Sequence, residues 1–149
     1  MRKLYNSVPD LTLLGSVLLA WLLDRAIPMS IIPSPFTLAG WLVAAMSFVV
    51  AVRVLYGLRL HGGSTDVVGM SSKFVRRGPY AFSRNPFYLL YVLVAFGVAL
   101  GFGSIGAFAA PVLCFVVLNY IVIPVEERNL EQAFGKDYVT YKHTVRRWL

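Results

Sequence analysis

The segment Pro86–Val125 contains no charged residue in 40 consecutive positions. A helix needs about 20 apolar residues to cross the hydrocarbon core of a bilayer, so this segment is long enough to cross twice. The sequence GFGSIG at residues 101–106 interrupts it near the middle, and its glycines favour a tight turn. The segment therefore predicts a hairpin of two membrane-spanning helices.

Two further apolar segments precede this hairpin. Leu11–Leu23 and Phe36–Val52 are uncharged, and we expect the first span to begin near Val8 and the second to continue towards Leu58. The chain is 58% hydrophobic and 14% charged, whereas an ordinary soluble domain is about 45–50% apolar. The sequence thus predicts an all-α membrane bundle of about four transmembrane helices, forming a single domain over residues 1–149.

The basic residues predict how this bundle is oriented. Four spans place the N-terminus, the middle loop and the C-terminal tail on one face, and Arg25 on the other. Because lysine and arginine accumulate on the cytoplasmic side, we expect both termini to be cytoplasmic, in an inner or plasma membrane. The net charge of +7 is then explained by topology and lipid headgroups, and nucleic acid is excluded as a partner. The residues on the basic face are Arg2, Lys3, Arg53, Arg59, Lys73, Arg76, Arg77, Arg84, Arg128, Lys136, Lys142, Arg146 and Arg147.

The sequence contains no pattern typical of a metal site. The lone cysteine, Cys114, lies in an apolar run and is interpreted as a small hydrophobic residue of a helix. The two histidines, His61 and His143, are far apart and match no metal-binding motif. We therefore expect no metal.

The tail from Glu126 to Leu149 has a different pattern. Its apolar residues recur at intervals of three to five, with an interruption near Gly135 and Trp148 close to the end. This pattern predicts an amphipathic helix lying at the membrane interface, and such a helix could act as an anchor alone.

Polar side chains flank both ends of the predicted hairpin. Arg84 and Asn85 lie at the foot of the third span, and Glu126 and Glu127 follow the end of the fourth. Taken separately, these are an ordinary flanking arginine and a solvated helix end. If the hairpin forms, they face each other across a short gap and match the carboxylate and ammonium of a zwitterionic ligand. Aromatic side chains that could stack on a ring of such a ligand are Tyr80, Phe82 and Tyr88.

Two sequence stretches resemble a known family. "GPYAFSRNPFY" and, about forty residues later, "EERNLEQAFGKDYVTYKHTVRRWL" are similar to the isoprenylcysteine carboxyl methyltransferase-like enzymes and the related phospholipid methyltransferases. These are integral membrane enzymes that use S-adenosylmethionine. The resemblance runs from near Thr65 to the C-terminus.

The resemblance implies roles for particular residues. The cofactor S-adenosyl-L-methionine would be enclosed at the cytoplasmic face, and a lipophilic acceptor would enter from the bilayer. The tail, including Tyr138, would close over the pocket. The residues implied to bind the cofactor are Tyr80, Arg84, Asn85, Pro86, Tyr88, Glu126 and Glu127. Those expected to face the acceptor are Asn119, Tyr120, Tyr141, Arg146 and Arg147.

The sequence departs from the family pattern in three places. Leu90 stands where the family usually has glycine, and the region of Arg76 and Arg77 replaces a threonine before Gly-Pro-Tyr. The eukaryotic prenylcysteine enzymes also carry an arginine ahead of the two glutamates. Here Asn119 and Tyr120 are the polar residues on that helix, which argues against a prenylcysteine acceptor.

The chemistry implied is an in-line displacement at a sulfonium methyl group, for which alignment of donor and acceptor is the main requirement. A thiolate or carboxylate acceptor needs no general base, whereas an amine or hydroxyl could use Tyr or Glu, and no base is assigned. A soluble Rossmann-type methyltransferase is excluded because no strand precedes a glycine-rich fingerprint. The alternative is a non-catalytic four-helix scaffold or lipid-binding protein; a small transporter is disfavoured, since the spans hold no acidic relay.

Overall fold

The computed structural model describes residues 7–60 and 75–149. Most of the predicted middle loop lies outside these ranges, as do Arg2, Lys3, His61 and Lys73. The all-α class is confirmed for the described residues. Their α-helices are α1 (Val8–Ala26), α2 (Phe36–Leu60), α3 (Pro86–Phe102), α4 (Ala109–Val117), α5 (Ile123–Phe134) and α6 (Lys136–Thr144).

The helices α1 to α4 run alternately up and down. At one end, the loops after α1 and α3 are joined, because the Ile31 N–H donates to the Gly103 carbonyl at 2.8 Å and the Ile105 N–H to the Met29 carbonyl at 3.0 Å. Gly103 has a φ of 73° and ends α3 as a left-handed cap, within the predicted break at residues 101–106. The opposite end holds the start of α3, α5 and the C-terminal residues.

A continuous helical segment, Gly106–Phe134, contains α4 and α5. Between them, Leu118–Val122 forms a π-turn, in which the Ile123 N–H donates to the Leu118 carbonyl five residues back. Pro124 has no N–H to continue the α-helical pattern, so the wider turn accommodates the missing donor. Apolar periodicity does not predict this turn. The helix continues past Val125 to Phe134, as expected for the first part of the helical tail predicted from the sequence. The predicted interruption at Gly135 is confirmed, with a φ of 52°.

Helices α2 and α3 pack closely through small residues. A Cβ atom added at Gly97 would lie 2.5 Å from the Ala44 nitrogen, and one added at Gly40 would lie 2.3 Å from the Gly101 nitrogen. Small residues at four-residue spacing allow such backbone contact between apolar helices, as in membrane helix pairs. The sequence shows this spacing at Gly40 and Ala44 and again at Gly97 and Gly101.

The outer surface of the bundle is apolar. Large side chains such as Leu14, Leu38, Met46 and Val112 are each more than 60% exposed. Within the described residues, two helices are long and apolar enough to cross a membrane, Phe36–Leu60 and Gly106–Phe134, while Pro86–Phe102 is shorter. Exposed apolar surface of this extent indicates association with a membrane. The count of four spans remains a prediction.

Candidate functional site

A buried carboxylate lies at the end of the bundle where α3 begins. Glu127, on α5, is 4% exposed. Its Oε1 lies 3.1 Å from Nη2 of Arg84, and its Oε2 lies 2.7 Å from Nη2 of Arg147. Arg147 Nε also donates to Oε1 at 3.3 Å. A buried carboxylate requires such partners, because desolvating an isolated charge costs several kcal/mol.

The turn before α3 positions Arg84 through backbone contacts. Pro86 occupies the first turn of α3, where its missing N–H costs no hydrogen bond. The Arg84 N–H donates to the Arg146 carbonyl at 2.9 Å, and Arg84 Nη1 donates to the Lys142 carbonyl at 3.1 Å. The guanidinium is therefore fixed by the C-terminal part of the chain as well as by Glu127.

Residues Val145–Leu149, here called the C-terminal strap, return across this end of the bundle. Val145 is extended and ends α6. The Arg147 carbonyl accepts hydrogen bonds from Asn85 Nδ2 at 3.0 Å and from Ser83 Oγ at 3.3 Å. The strap is thus tied to the turn before α3 by its backbone, and to Glu127 by a side chain.

Asn119, in the π-turn, joins the strap to α4. Its Oδ1 accepts hydrogen bonds from Trp148 Nε1 at 3.0 Å and from Arg147 Nη1 at 3.4 Å. The Trp148 ring lies against Phe115, with ring centroids 5.0 Å apart. Wide helical turns are frequent at functional sites, and this one carries the amide that orients Arg147.

Glu126 has an unfilled hydrogen-bonding position. The buried Tyr88 hydroxyl donates to its carboxylate. Its Oε2 is buried and has no hydrogen-bond partner among residues 7–60 and 75–149, and the same holds for Arg84 Nε. An unpaired buried polar atom is costly, so this acceptor and this donor are both suited to an additional polar partner.

Two tyrosines connect the Gly-Pro-Tyr segment to α6. The Tyr141 hydroxyl donates to the Tyr80 carbonyl at 2.6 Å. Burial raises the pKa of Tyr141 to about 12, although the Arg84 charge acts in the opposite direction. Burial also raises the pKa of Tyr80, with the Glu126 charge contributing. Both hydroxyls therefore stay protonated at neutral pH, and Tyr141 can act as a donor.

Tyr80 also lines a cavity of about 420 Å³. This cavity lies between α2 and the segment Val75–Tyr80, and its walls are mainly apolar. Its volume falls within the range of about 300–1,000 Å³ that is typical of small-molecule sites.

The structure brings most of the predicted site residues together. Arg84, Asn85, Asn119, Glu127 and Arg147 belong to one hydrogen-bonded network, here called the ion cluster. The Tyr88–Glu126 and Tyr80–Tyr141 pairs lie beside it. Arg84 and Glu127 contact each other directly, rather than across the gap that the sequence suggested, because the buried carboxylate takes the nearest available guanidinium.

Some predicted residues lie apart from the cluster. Tyr120 is 70% exposed on the outer surface, and so is Phe82 at 78%. Arg146 supplies its carbonyl group while its side chain is exposed. Lys142 and Ser83 were missed: Lys142 lies 4.0 Å from Glu127 Oε2, and Ser83 binds the strap. Their residue types alone do not predict a role in the site, since lysine and serine are common at exposed helix ends.

These features define a helical, membrane-associated protein with a polar site at one end of an apolar bundle. The chain belongs to the phospholipid methyltransferase family, whose family model matches residues 36–137, and the resemblance in the sequence is thereby confirmed. A protein of Haemophilus influenzae that is described as uncharacterized is 37% identical over 62 residues, which cover 42% of this chain and 98% of that protein. No solved structure matches the chain.

Proposed function

We propose that this protein transfers a methyl group from S-adenosylmethionine to a lipophilic acceptor, a lipid, thiol or carboxylate, at the cytoplasmic face of the membrane. The observation that carries the proposal is that two buried polar atoms at this end of the bundle, the Glu126 Oε2 acceptor and the Arg84 Nε donor, have no hydrogen-bond partner among the described residues. Membership of a methyltransferase family supports it.

The donor set fits the amino-acid end of this cofactor. Glu126 Oε2 is suited to accept a hydrogen bond from an ammonium group, and Arg84 is suited to donate to a carboxylate. Aromatic rings are available nearby from Tyr80 and Tyr88. When bound, S-adenosylmethionine supplies a methyl group that its sulfonium has already activated. Glu127, held by Arg84 and Arg147, would keep these groups in place.

The other residues of the chain align the reactants and exclude water. The strap and α6 cover the ion cluster, with Trp148 packed on Phe115 and with Tyr138 only 2% exposed. Exclusion of water strengthens the electrostatic contacts inside such a site. No residue is assigned as a general base, because an acceptor with an ionised thiol or carboxyl group needs none.

The proposal places the site at the inner leaflet boundary. In the proposed arrangement four helices cross the membrane, and both termini and the ion cluster lie on the cytoplasmic side. The acceptor would reach the site from the bilayer. The predominance of arginine and lysine at this end of the bundle supports that orientation.

Binding and transfer test the proposal in two steps. Isothermal titration with S-adenosylmethionine should show binding by the purified protein, weakened about tenfold or more in Glu126→Gln, because a charge-assisted hydrogen bond is lost. Glu131→Gln, five residues further along α5, is the matched control and should bind normally. Labelled methyl transfer to membrane extracts should yield a product identifiable by mass.

The absence of binding by the unaltered protein, or equal binding by Glu126→Gln, would contradict the cofactor site. Binding without any labelled product in the extracts would instead favour the non-catalytic alternative.

A further inference from the structure

The 420 Å³ cavity beside the ion cluster combines apolar walls with positive charge. One wall is the second half of α2, and the other is the segment that leads into the Gly-Pro-Tyr turn. The residues that line it are Val50, Arg53, Val54, Gly57, Leu58, Val75, Arg77, Gly78, Pro79 and Tyr80. Among the described residues, the lining includes no carboxylate.

Two arginines of the lining are available to an anion. Arg53 and Arg77 are exposed, and neither forms an ion pair with any residue in the described parts of the chain. Arg84 and Arg147 differ, because both form ion pairs with Glu127. Guanidinium groups near a membrane surface attract anionic lipids and bind phosphate oxygens in bidentate fashion.

We propose that this cavity binds an anionic lipid, with one acyl chain along the apolar wall and the headgroup phosphate at Arg53 and Arg77. The apolar wall requires an apolar ligand, and the two arginines require an anionic one. A zwitterionic lipid is disfavoured because its ammonium group meets two positive charges. A second copy of the chain is also disfavoured, since each copy carries a net charge of +7.

Gly57 marks the part of the cavity in which the acyl chain of the lipid would lie. It lines the cavity on α2, and a Cβ atom added there would have no packing neighbour within 4 Å among residues 7–60 and 75–149. A larger side chain at this position can therefore extend into the cavity without displacing the protein. Tyr80 lines the cavity and also accepts a hydrogen bond from Tyr141 of α6, whereas Glu126 and Glu127 do not line the cavity, so lipid binding can be tested without methyl transfer.

Thermal unfolding of the purified protein in a neutral detergent tests the proposal without any cofactor. Phosphatidylglycerol should raise the melting temperature at concentrations at which phosphatidylcholine with the same acyl chains has little effect. Glycerol phosphate, which lacks the acyl chains, should leave the melting temperature unchanged. The apparent affinity for phosphatidylglycerol should fall about fivefold in Arg53→Gln and in Arg77→Gln.

Two further variants separate this site from general surface charge. Arg59→Gln removes the same charge from the last turn of α2, outside the cavity, and should retain full affinity. Gly57→Leu keeps every charge but fills the cavity, and should lose the phosphatidylglycerol effect.

Three results would overturn the assignment. An equal loss of affinity in Arg59→Gln would show diffuse attraction to the surface. An equal response to glycerol phosphate would show a site for free anions. Normal lipid binding by Gly57→Leu would show that no acyl chain occupies the cavity.

Discussion

At the scale of single residues, Glu127 is surrounded by more positive charge than it can neutralise. Arg84 and Arg147 contact its two oxygens, and the Lys142 ammonium, which is paired with Glu131 at 2.6 Å, lies 4.0 Å from Oε2. Removing one partner of a buried ion pair leaves the other partners without a counter-charge, which is more damaging than losing an exposed pair. The remaining positive charge is suited to an anionic group of a ligand.

Glu127→Gln should therefore lower the free energy of unfolding by about 3 kcal/mol, since two guanidinium groups lose their counter-charge. Glu131→Gln is the control, because the Glu131–Lys142 pair is more than one-third exposed and should contribute less than about 1 kcal/mol. Denaturant unfolding in detergent measures both values. Equal losses in the two variants would contradict the structural role of Glu127.

Tyr141→Phe should lower the free energy of unfolding by about 1 kcal/mol at neutral pH, because the Tyr80 carbonyl loses its hydrogen-bond donor. The raised pKa, about 12 in the folded protein, also predicts a dependence on pH. The contribution of Tyr141 is complete below its unfolded pKa of about 10 and is lost as the pH rises through about 12.

The free energy of unfolding, measured between about pH 9 and about pH 12, should thus fall less steeply with pH in Tyr141→Phe than in the unaltered protein. Some decline should remain, because burial also raises the pKa values of Tyr80 and Tyr138. Identical slopes for the two proteins would contradict the burial of the Tyr141 hydroxyl and its raised pKa.

At the scale of helices, the closest packing in the bundle depends on glycine. Gly97 on α3 lies against the α2 backbone at Ala44 and Gly40. Gly15 on α1 faces open space, because no packing neighbour from the described part of the chain lies within 4 Å of an added Cβ. The two positions share a residue type and an apolar helical setting, so they form a matched pair.

Gly97→Ala should destabilise the bundle by about 1–3 kcal/mol, because the new methyl group forces α2 and α3 apart. Gly15→Ala should be neutral or stabilising by up to about 1 kcal/mol, through helix propensity alone. Thermal unfolding of both variants in the same detergent measures the difference. A neutral Gly97→Ala would show that the two helices do not approach so closely.

Helix positions were largely predictable because charges and prolines delimit the apolar segments. The predicted start near Val8 and the second span from Phe36 both agree with the helices found. The π-turn was not predictable from apolar periodicity, since it depends on the local effect of Pro124. Of the site, the meeting of Arg84 and Glu127 followed from the hairpin, whereas the strap depends on backbone contacts that no side-chain pattern records.

At the scale of the whole molecule, the two ends of the bundle differ in charge. The loops after α1 and α3 meet at one end, while the ion cluster and the strap lie at the other. If all four helices cross the membrane, these two ends are exposed to opposite compartments.

Single cysteines, introduced after Cys114→Ala, test that arrangement. Met29→Cys and Ile105→Cys should react with an impermeant maleimide added on one side of sealed vesicles. Arg59→Cys and Thr144→Cys should react with the maleimide added on the opposite side. Inverted vesicles should reverse the pattern. Labelling of Ile105→Cys and Thr144→Cys from the same side would show that the Gly106–Phe134 helix does not cross the membrane.

The C-terminal strap has a consequence for a chain from which these residues are removed. Arg147 follows Glu127 by 20 residues and is one of the two arginines that contact the buried carboxylate. Cleavage before Val145 would leave Arg84 as the arginine that still contacts Glu127, although α6 ends at Thr144 and no helix would be shortened. Proteolytic trimming is therefore expected to weaken the polar end of the bundle while leaving every helix at its full length.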